Sequence, residues 1–248
     1  MFETLFDVKT LAHARYLSQN HIGDRLITLD EFEHLFKLLG ALWVYQGDPR
    51  PEVFHAVTRE GKCTNGFINC GAVLEYANLC EIMAIQLVRR LTEQYHGDVD
   101  LVIDAAYSGT DLGQNVALHG PSSCNARHRT VEKDEKGNPT KFRGTIAADE
   151  RILLVNELMT TAGGSAQMAK NAVISAGAKP EQFVPFALIL VNRSKEAETL
   201  ADGTPVISVA RYHLETFEPG PETCPYCAAG SQAVKPKVGN NWQLYFSC

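Results

Sequence analysis

The residues best suited to chemistry lie in Arg151 to Ser165, RILLVNELMTTAGGS, where an apolar run ends in a Thr- and Gly-rich turn just before a helical pattern. A Gly-containing turn at the end of a buried strand exposes successive backbone N–H groups, and the next helix adds its positive end, so the two make a seat for an anion. Thr160, Thr161 and Ser165 supply hydroxyl donors around Ala162, Gly163 and Gly164, and Glu157 at the strand end can accept hydrogen bonds from sugar hydroxyls. No Lys follows the glycines and no G-x-G-x-x-G order is present, so neither a Walker loop nor a dinucleotide fingerprint is written here. The same letters also describe an ordinary tight turn.

A second candidate is Cys224-Pro225-Tyr226-Cys227, which has the spacing of half a zinc knuckle. Four ligands are needed and no second Cys-x-x-Cys occurs, which leaves Cys124, His213 or a second subunit to complete a zinc site. The alternative is a turn carrying two free thiols. A thioredoxin-like role is disfavoured because the pair does not sit between a strand and a helix.

These groups must be positioned by a chain of 248 residues, enough for one sizeable α/β domain or a core with a small appendage. The net charge of -6 argues against a broad nucleic-acid surface, which would need excess cations. No apolar run approaches a membrane span, and the amino terminus lacks the order of a signal peptide. A soluble, cytoplasmic protein is expected, with the seven cysteines largely reduced.

Residues 1–98 read as helices and an extended insert. From Asp30, DEFEHLFKLLGALWVY places Phe32, Leu35, Phe36, Leu38 and Leu39 at helical spacing, Gly61 to Asn69 interrupts the pattern, and Ala72 to Leu91 resumes it as one long helix. Leu101 to Ala106 is an apolar run with a single acid, which suits a strand buried on both faces. A helix is expected through Ala117. Asn125 to Arg143 is polar and reads as a flexible flap or an exposed hairpin turning at Gly137-Asn138-Pro139. Strand, loop, helix and strand then alternate through Val191, which predicts a mostly parallel central sheet flanked by helices, with residues 99–215 as the core and 216–248 as a tail.

In this setting Arg151 to Ser165 resembles the phosphoribosyl diphosphate signature of the type I phosphoribosyltransferase family, and specifically its orotate phosphoribosyltransferase branch. Asn156-Glu157 stands where the branch has two acids, and Ala162 replaces a loop glycine. Three further segments follow in the family's order: Gly61 to Asn69 resembles its amino-terminal segment, Ala106-Tyr107-Ser108-Gly109-Thr110 its diphosphate loop with Ser108 in place of lysine, and Val191-Asn192-Arg193-Ser194 a base-binding segment. Asn125 to Arg129 begins like the family's mobile basic loop, although its Lys-x-His-Gly ending is missing.

The resemblance implies a phosphoribosyltransferase fold with an amino-terminal hood, and transfer of a 5-phosphoribosyl group from phosphoribosyl diphosphate to orotate or a related base in pyrimidine nucleotide synthesis. It further implies Mg²⁺ as cofactor and a homodimer. By position it places Glu157, Asn156, Arg127 and Arg129 in catalysis. Arg59, Lys62, Phe67, Tyr107, Ser108, Gly109, Arg193 and the stretch from Thr160 to Ser165 take substrate binding, with Phe67 near the base and Arg193 at the orotate carboxylate. Two other readings stay open: a diverged homologue that binds a phosphoribosyl ligand or nucleotide without turnover, and a metal-organised interaction protein built on the tail.

Overall fold

A computed structural model describes residues 4–58, 61–105, 108–121, 125–160, 164–194, 197–239 and 241–245, with the backbone alone for Ser108. The amino-terminal part holds α1 (Leu11–Arg15), α2 (Gln19–Ile22), α3 (Leu29–Leu38), β1 (Leu42–Val44), β2 (His55–Val57), β3 (Cys63–Thr64), β4 (Gly66–Ile68), α4 (Gly71–Leu74) and α5 (Ala77–Thr92). The core follows with β5 (Leu101–Ala105), α6 (Ser108–His119), β6 (Arg127–Lys133), β7 (Pro139–Lys141), β8 (Ile152–Met159), α7 (Gly164–Ser175), β9 (Phe183–Asn192) and β10 (Val206–Arg211). The tail adds β11 (Thr216–Phe217), α8 (Pro225–Ala228), β12 (Ala233–Val234) and α9 (Asn241–Leu244).

Six strands form the central sheet in the order β10-β9-β8-β5-β6-β7, parallel throughout except for β7. Alternation along its strands divides the core. Val102, Leu153, Val155, Leu188 and Leu190 face a cluster built with α3, α5 and α6, while Leu101, Ile103, Ile152, Leu154, Ala187 and Ile189 face Ala166, Ala169, Ala172 and Val173 of α7. Burial on both faces explains why these strands read as unbroken apolar runs. The expected α/β architecture is what the chain adopts.

Two boundaries differ from the sequence reading. Helical periodicity ends at Leu38 because Gly40 takes φ 62, and the remainder of that stretch becomes β1, antiparallel to β4. The long helix from Ala72 is two: α4 stops after one turn, and α5 restarts after Glu75 and Tyr76. Of the two alternatives for Asn125 to Arg143, the hairpin is realised. Arg127 to Lys133 extends the sheet beside β5, and Gly137 at φ 81 turns the chain into β7.

A second, four-stranded sheet has the order β11-β3-β2-β12, so tail and hood are woven together. The segment between α2 and α3 is held to α5 by polar groups. Gln86 accepts from the Ile27 N–H at 2.8 Å and donates to the Arg25 carbonyl at 3.1 Å, while Arg25 meets buried Glu31 with two contacts of 2.6 Å. Burial alone would push the Glu31 carboxyl up, but Arg25 and the backbone N–H groups of Thr28 and Leu5 outweigh it and hold it at about 2.

A carboxyl held below its ordinary value contributes stability that is present above the unfolded value and lost as pH falls through the folded one. Glu31→Gln is therefore expected to cost about 2 kcal/mol in urea unfolding at neutral pH, and the gap should close between about pH 4 and pH 2. A gap independent of pH would refute this account of Glu31.

Candidate functional site

The parallel strands β5, β8 and β9 run out at one edge of the sheet, the side on which α/β folds bind ligands. On β8, Asn156 is buried and Glu157 half-buried, both close to that edge. Arg193, just past β9, donates its backbone N–H to the Met159 carbonyl at 2.9 Å, which draws the two loops together. Thr160 is exposed at the end of β8, and Gly164 and Ser165 open α7, whose positive amino-terminal end faces the same edge. Thr161, Ala162, Gly163, Tyr107 and Arg59 lie outside the described residues, as does the side chain of Ser108.

Gly109 lets the first turn of α6 approach the acid. A Cβ at this position would stand 3.1 Å from Glu157 Oε2 and 3.5 Å from Asn156 Oδ1, so the missing side chain is what brings helix and carboxylate together. Asn156 donates its amide to the Leu158 carbonyl at 3.1 Å, leaving its oxygen toward Gly109. Burial pushes the Glu157 carboxyl up, its own backbone N–H and the charges of Lys133 and Lys237 pull it down, and Asp104 adds to the upward push. The hood reaches the site at Cys70, whose thiol donates to the Glu157 carbonyl at 3.4 Å.

The expected cations divide by position. Arg127 sits opposite Leu101 at the start of β6, the far end of the sheet from Glu157, where its guanidinium bonds Glu150 and the Thr145 carbonyl. Arg129 is two residues further on, opposite Ile103 and exposed. The strand instead delivers Lys133, its last residue, toward Glu157, because a parallel strand beside β5 carries its carboxy-terminal end to the ligand edge. Lys62 pairs with Glu218 of the tail at 2.7 Å on the surface, and Arg193 is buried at 7% exposure. Phe67 packs against Trp242 with ring centroids 4.9 Å apart, and Lys237 lies 5.9 Å from the Phe67 ring centre.

Three groups near the site were not singled out in the sequence. Asp104, the lone acid of β5, is fully buried and pairs with His128 of β6, while Gly113 of α6 leaves the space that the pair occupies. The signal for Asp104 was an acid inside an otherwise apolar strand, a placement that demands a partner. Burial raises its carboxyl and the His128 contact opposes that rise. Lys237 carried no signal, because only the fold returns the tail to the hood.

Cys224 and Cys227 are joined by His55 of β2 and Cys63 of β3, with the four candidate donor atoms within 4.8 Å of one another. Of the partners the sequence offered, His213 is not in the group and Cys124 lies outside the described residues.

No family model matches the chain. Among curated proteins, it is 31% identical over 212 residues to the orotate phosphoribosyltransferase of Pelotomaculum thermopropionicum, covering 85% of this chain and 97% of that protein. It is 29% identical over 189 residues to the protein of the same name from Sulfurovum sp., covering 73% and 90%. Among solved structures, the orotate phosphoribosyltransferase of Mycobacterium tuberculosis H37Rv in complex with Fe(III) dicitrate superposes with a TM-score of 0.52 at 20% identity, covering 71% of this chain and 94% of that one, a likeness of fold.

Gly113→Ala tests the space left for the buried pair. The new Cβ would fall 2.4 Å from Asp104 Oδ2 and 2.9 Å from His128 Nε2; Asp104 is fully buried and His128 is held against it. A loss of about 2 kcal/mol is expected in chemical denaturation. Unchanged stability would mean that α6 can retreat from the sheet.

Proposed function

Because the chain belongs to the orotate phosphoribosyltransferase family, we propose that it transfers the 5-phosphoribosyl group of phosphoribosyl diphosphate to orotate or a related base and releases diphosphate, a step of pyrimidine nucleotide synthesis. The observation that carries the reading at the level of residues is Glu157 at the end of β8, facing Gly109 in the first turn of α6 and adjoining the start of α7. An acid for sugar hydroxyls and two helix amino termini for phosphates thus meet at one edge.

Transfer of a ribosyl group builds positive charge on the sugar while negative charge grows on the departing diphosphate. The α7 amino terminus, with Thr160 and Ser165, is suited to hold the 5-phosphate, and Glu157 to fix the ribose hydroxyls. Lys133 and Lys237 supply positive charge to the site. The family resemblance puts Phe67 near the base and Arg193 at a carboxylate on it. Glu157 Oε2 and Asn156 Oδ1, both turned toward Gly109, form an oxygen donor set that fits Mg²⁺, a hard ion that takes most of its remaining ligands from substrate oxygens and water. When bound, Mg²⁺ would neutralise diphosphate charge.

Resemblance to the family further supports a homodimer and a cytoplasmic location; no described helix is long and apolar enough to cross a membrane. A second reading, binding of a phosphoribosyl ligand or nucleotide without turnover, is favoured by Asn156 in place of an acid and by the engagement of Arg127 with Glu150.

Loss of orotate absorbance on adding phosphoribosyl diphosphate and Mg²⁺ tests the reaction, and other bases in parallel define specificity. Glu157→Gln is expected to lower kcat by about 100-fold or more. With Glu157 raised by burial, the wild-type rate should fall as pH drops through a value above the ordinary carboxylate range, and that limb should vanish in the variant. Tight phosphoribosyl diphosphate binding by calorimetry with no turnover on any base would establish the second reading instead.

A further inference from the structure

The group formed by His55, Cys63, Cys224 and Cys227 takes no part in the phosphoribosyl site. Its four donor atoms all lie within 4.8 Å of one another. His55 Nε2 lies 3.3 Å from Cys63 Sγ, 3.6 Å from Cys227 Sγ and 3.9 Å from Cys224 Sγ, and Cys63 Sγ is 3.7 Å from Cys227 Sγ. Four ligands around one zinc ion, at about 2.3 Å for sulfur and about 2.0 Å for nitrogen, stand about 3.7 Å apart for sulfur pairs and about 3.5 Å apart for sulfur and nitrogen. We propose that His55, Cys63, Cys224 and Cys227 bind one structural zinc ion that fastens the carboxy-terminal tail to the strands of the hood.

The groups around the four ligands are set for this role. Ser231 Oγ donates to the Val53 carbonyl at 2.6 Å, so toward His55 Nδ1, 2.8 Å away, it can only accept. Nδ1 therefore carries the ring proton, and the Nε2 lone pair points at the three sulfurs, as metal-bound imidazoles are oriented by a partner on the other nitrogen. The Cys227 N–H is directed at Cys224 Sγ across the first turn of α8, 3.5 Å away, an arrangement that stabilises a thiolate. His55, Cys63 and Cys224 are buried and Cys227 partly so. Three thiolates and an imidazole form a soft set that selects zinc over the hard Mg²⁺ of the substrate site, and four protein donors leave no open position for catalysis. On binding, Zn²⁺ replaces the three thiol protons, which pass to solvent.

The tail requires such a fastening. Among its described residues, regular structure amounts to two strands of two residues and two helices of four, too short to persist on their own. From the knuckle the chain runs through β12 to Lys237 and Trp242 beside Phe67, and the Tyr245 hydroxyl donates to the Val234 carbonyl at 2.7 Å, with the His55 carbonyl 3.3 Å away. An ion bound between β2, β3 and α8 thus anchors the segment that covers Phe67.

The test reads metal rather than turnover, so it stands whether or not the proposed reaction is correct. Elemental analysis of the full chain, purified under reducing conditions without chelators, should find one zinc per chain, falling to less than a tenth in the Cys224→Ser, Cys227→Ser double variant. Cobalt exchanged into the wild-type protein should give thiolate-to-metal charge-transfer absorption, which does not depend on the variant folding. Removing zinc from the wild-type protein should speed tryptic cleavage after Lys237 at least tenfold, and restoring zinc should reverse it. Purified protein with less than a fifth of an equivalent of zinc and no cobalt absorption, or a disulfide within the group in fully folded protein, would overturn the proposal.

Discussion

Burial of both faces of the central sheet is the constraint on which the rest of this structure depends. Strands β5, β8 and β9 lie between α7 on one side and α3, α5 and α6 on the other, so polar side chains within them are tolerated only with partners or near the edge. Asp104 is the exception inside, and it is met by His128 in a space that Gly113 keeps open. Asn156 and Glu157 are the residues near the edge, and the same geometry that makes the strands parallel brings the starts of α6 and α7 beside them. Core packing and the chemical site are thus two consequences of one arrangement.

The site operates against its own burial. Removing Glu157 from water penalises the charged form that would bind sugar hydroxyls, and the nearby Asp104 adds to the penalty. Lys133 and Lys237 oppose it from two different parts of the chain, one at the end of β6 and one in the tail. An anionic substrate would change this balance again, since it would meet the same charges that steady Glu157 in the free protein. The tail, held against the hood by short strands and by the residues around His55, is therefore part of the electrostatics of the site and not an appendage to it.

Legibility followed the range of the interactions. The buried strands, the helix after the Gly-rich turn and the acid at the end of β8 rest on neighbours within a few residues, and periodicity reports those directly. The reading of Leu42 to Val44 as helix did not hold, because a glycine two residues earlier took a left-handed conformation and β4 offered a pairing edge. The resemblance placed Arg127 and Arg129 in catalysis by position; within one chain, once Arg127 to Lys133 joined the sheet beside β5, strand direction put Arg127 at the far end from Glu157 and Lys133 toward it.

What the sequence by itself determined is the buried strand and the helix at the two ends of Arg151 to Ser165, and the family that the matching segments point to. What only the tertiary structure decided is who stands beside it. Cys224 and Cys227 lie 169 and 172 residues from His55, and no local pattern connects them to it. The pairing of β11 with β3 and of β12 with β2 does, because register along a shared sheet converts distance in sequence into adjacency in space. The same return of the chain places Lys237 and Trp242 on Phe67.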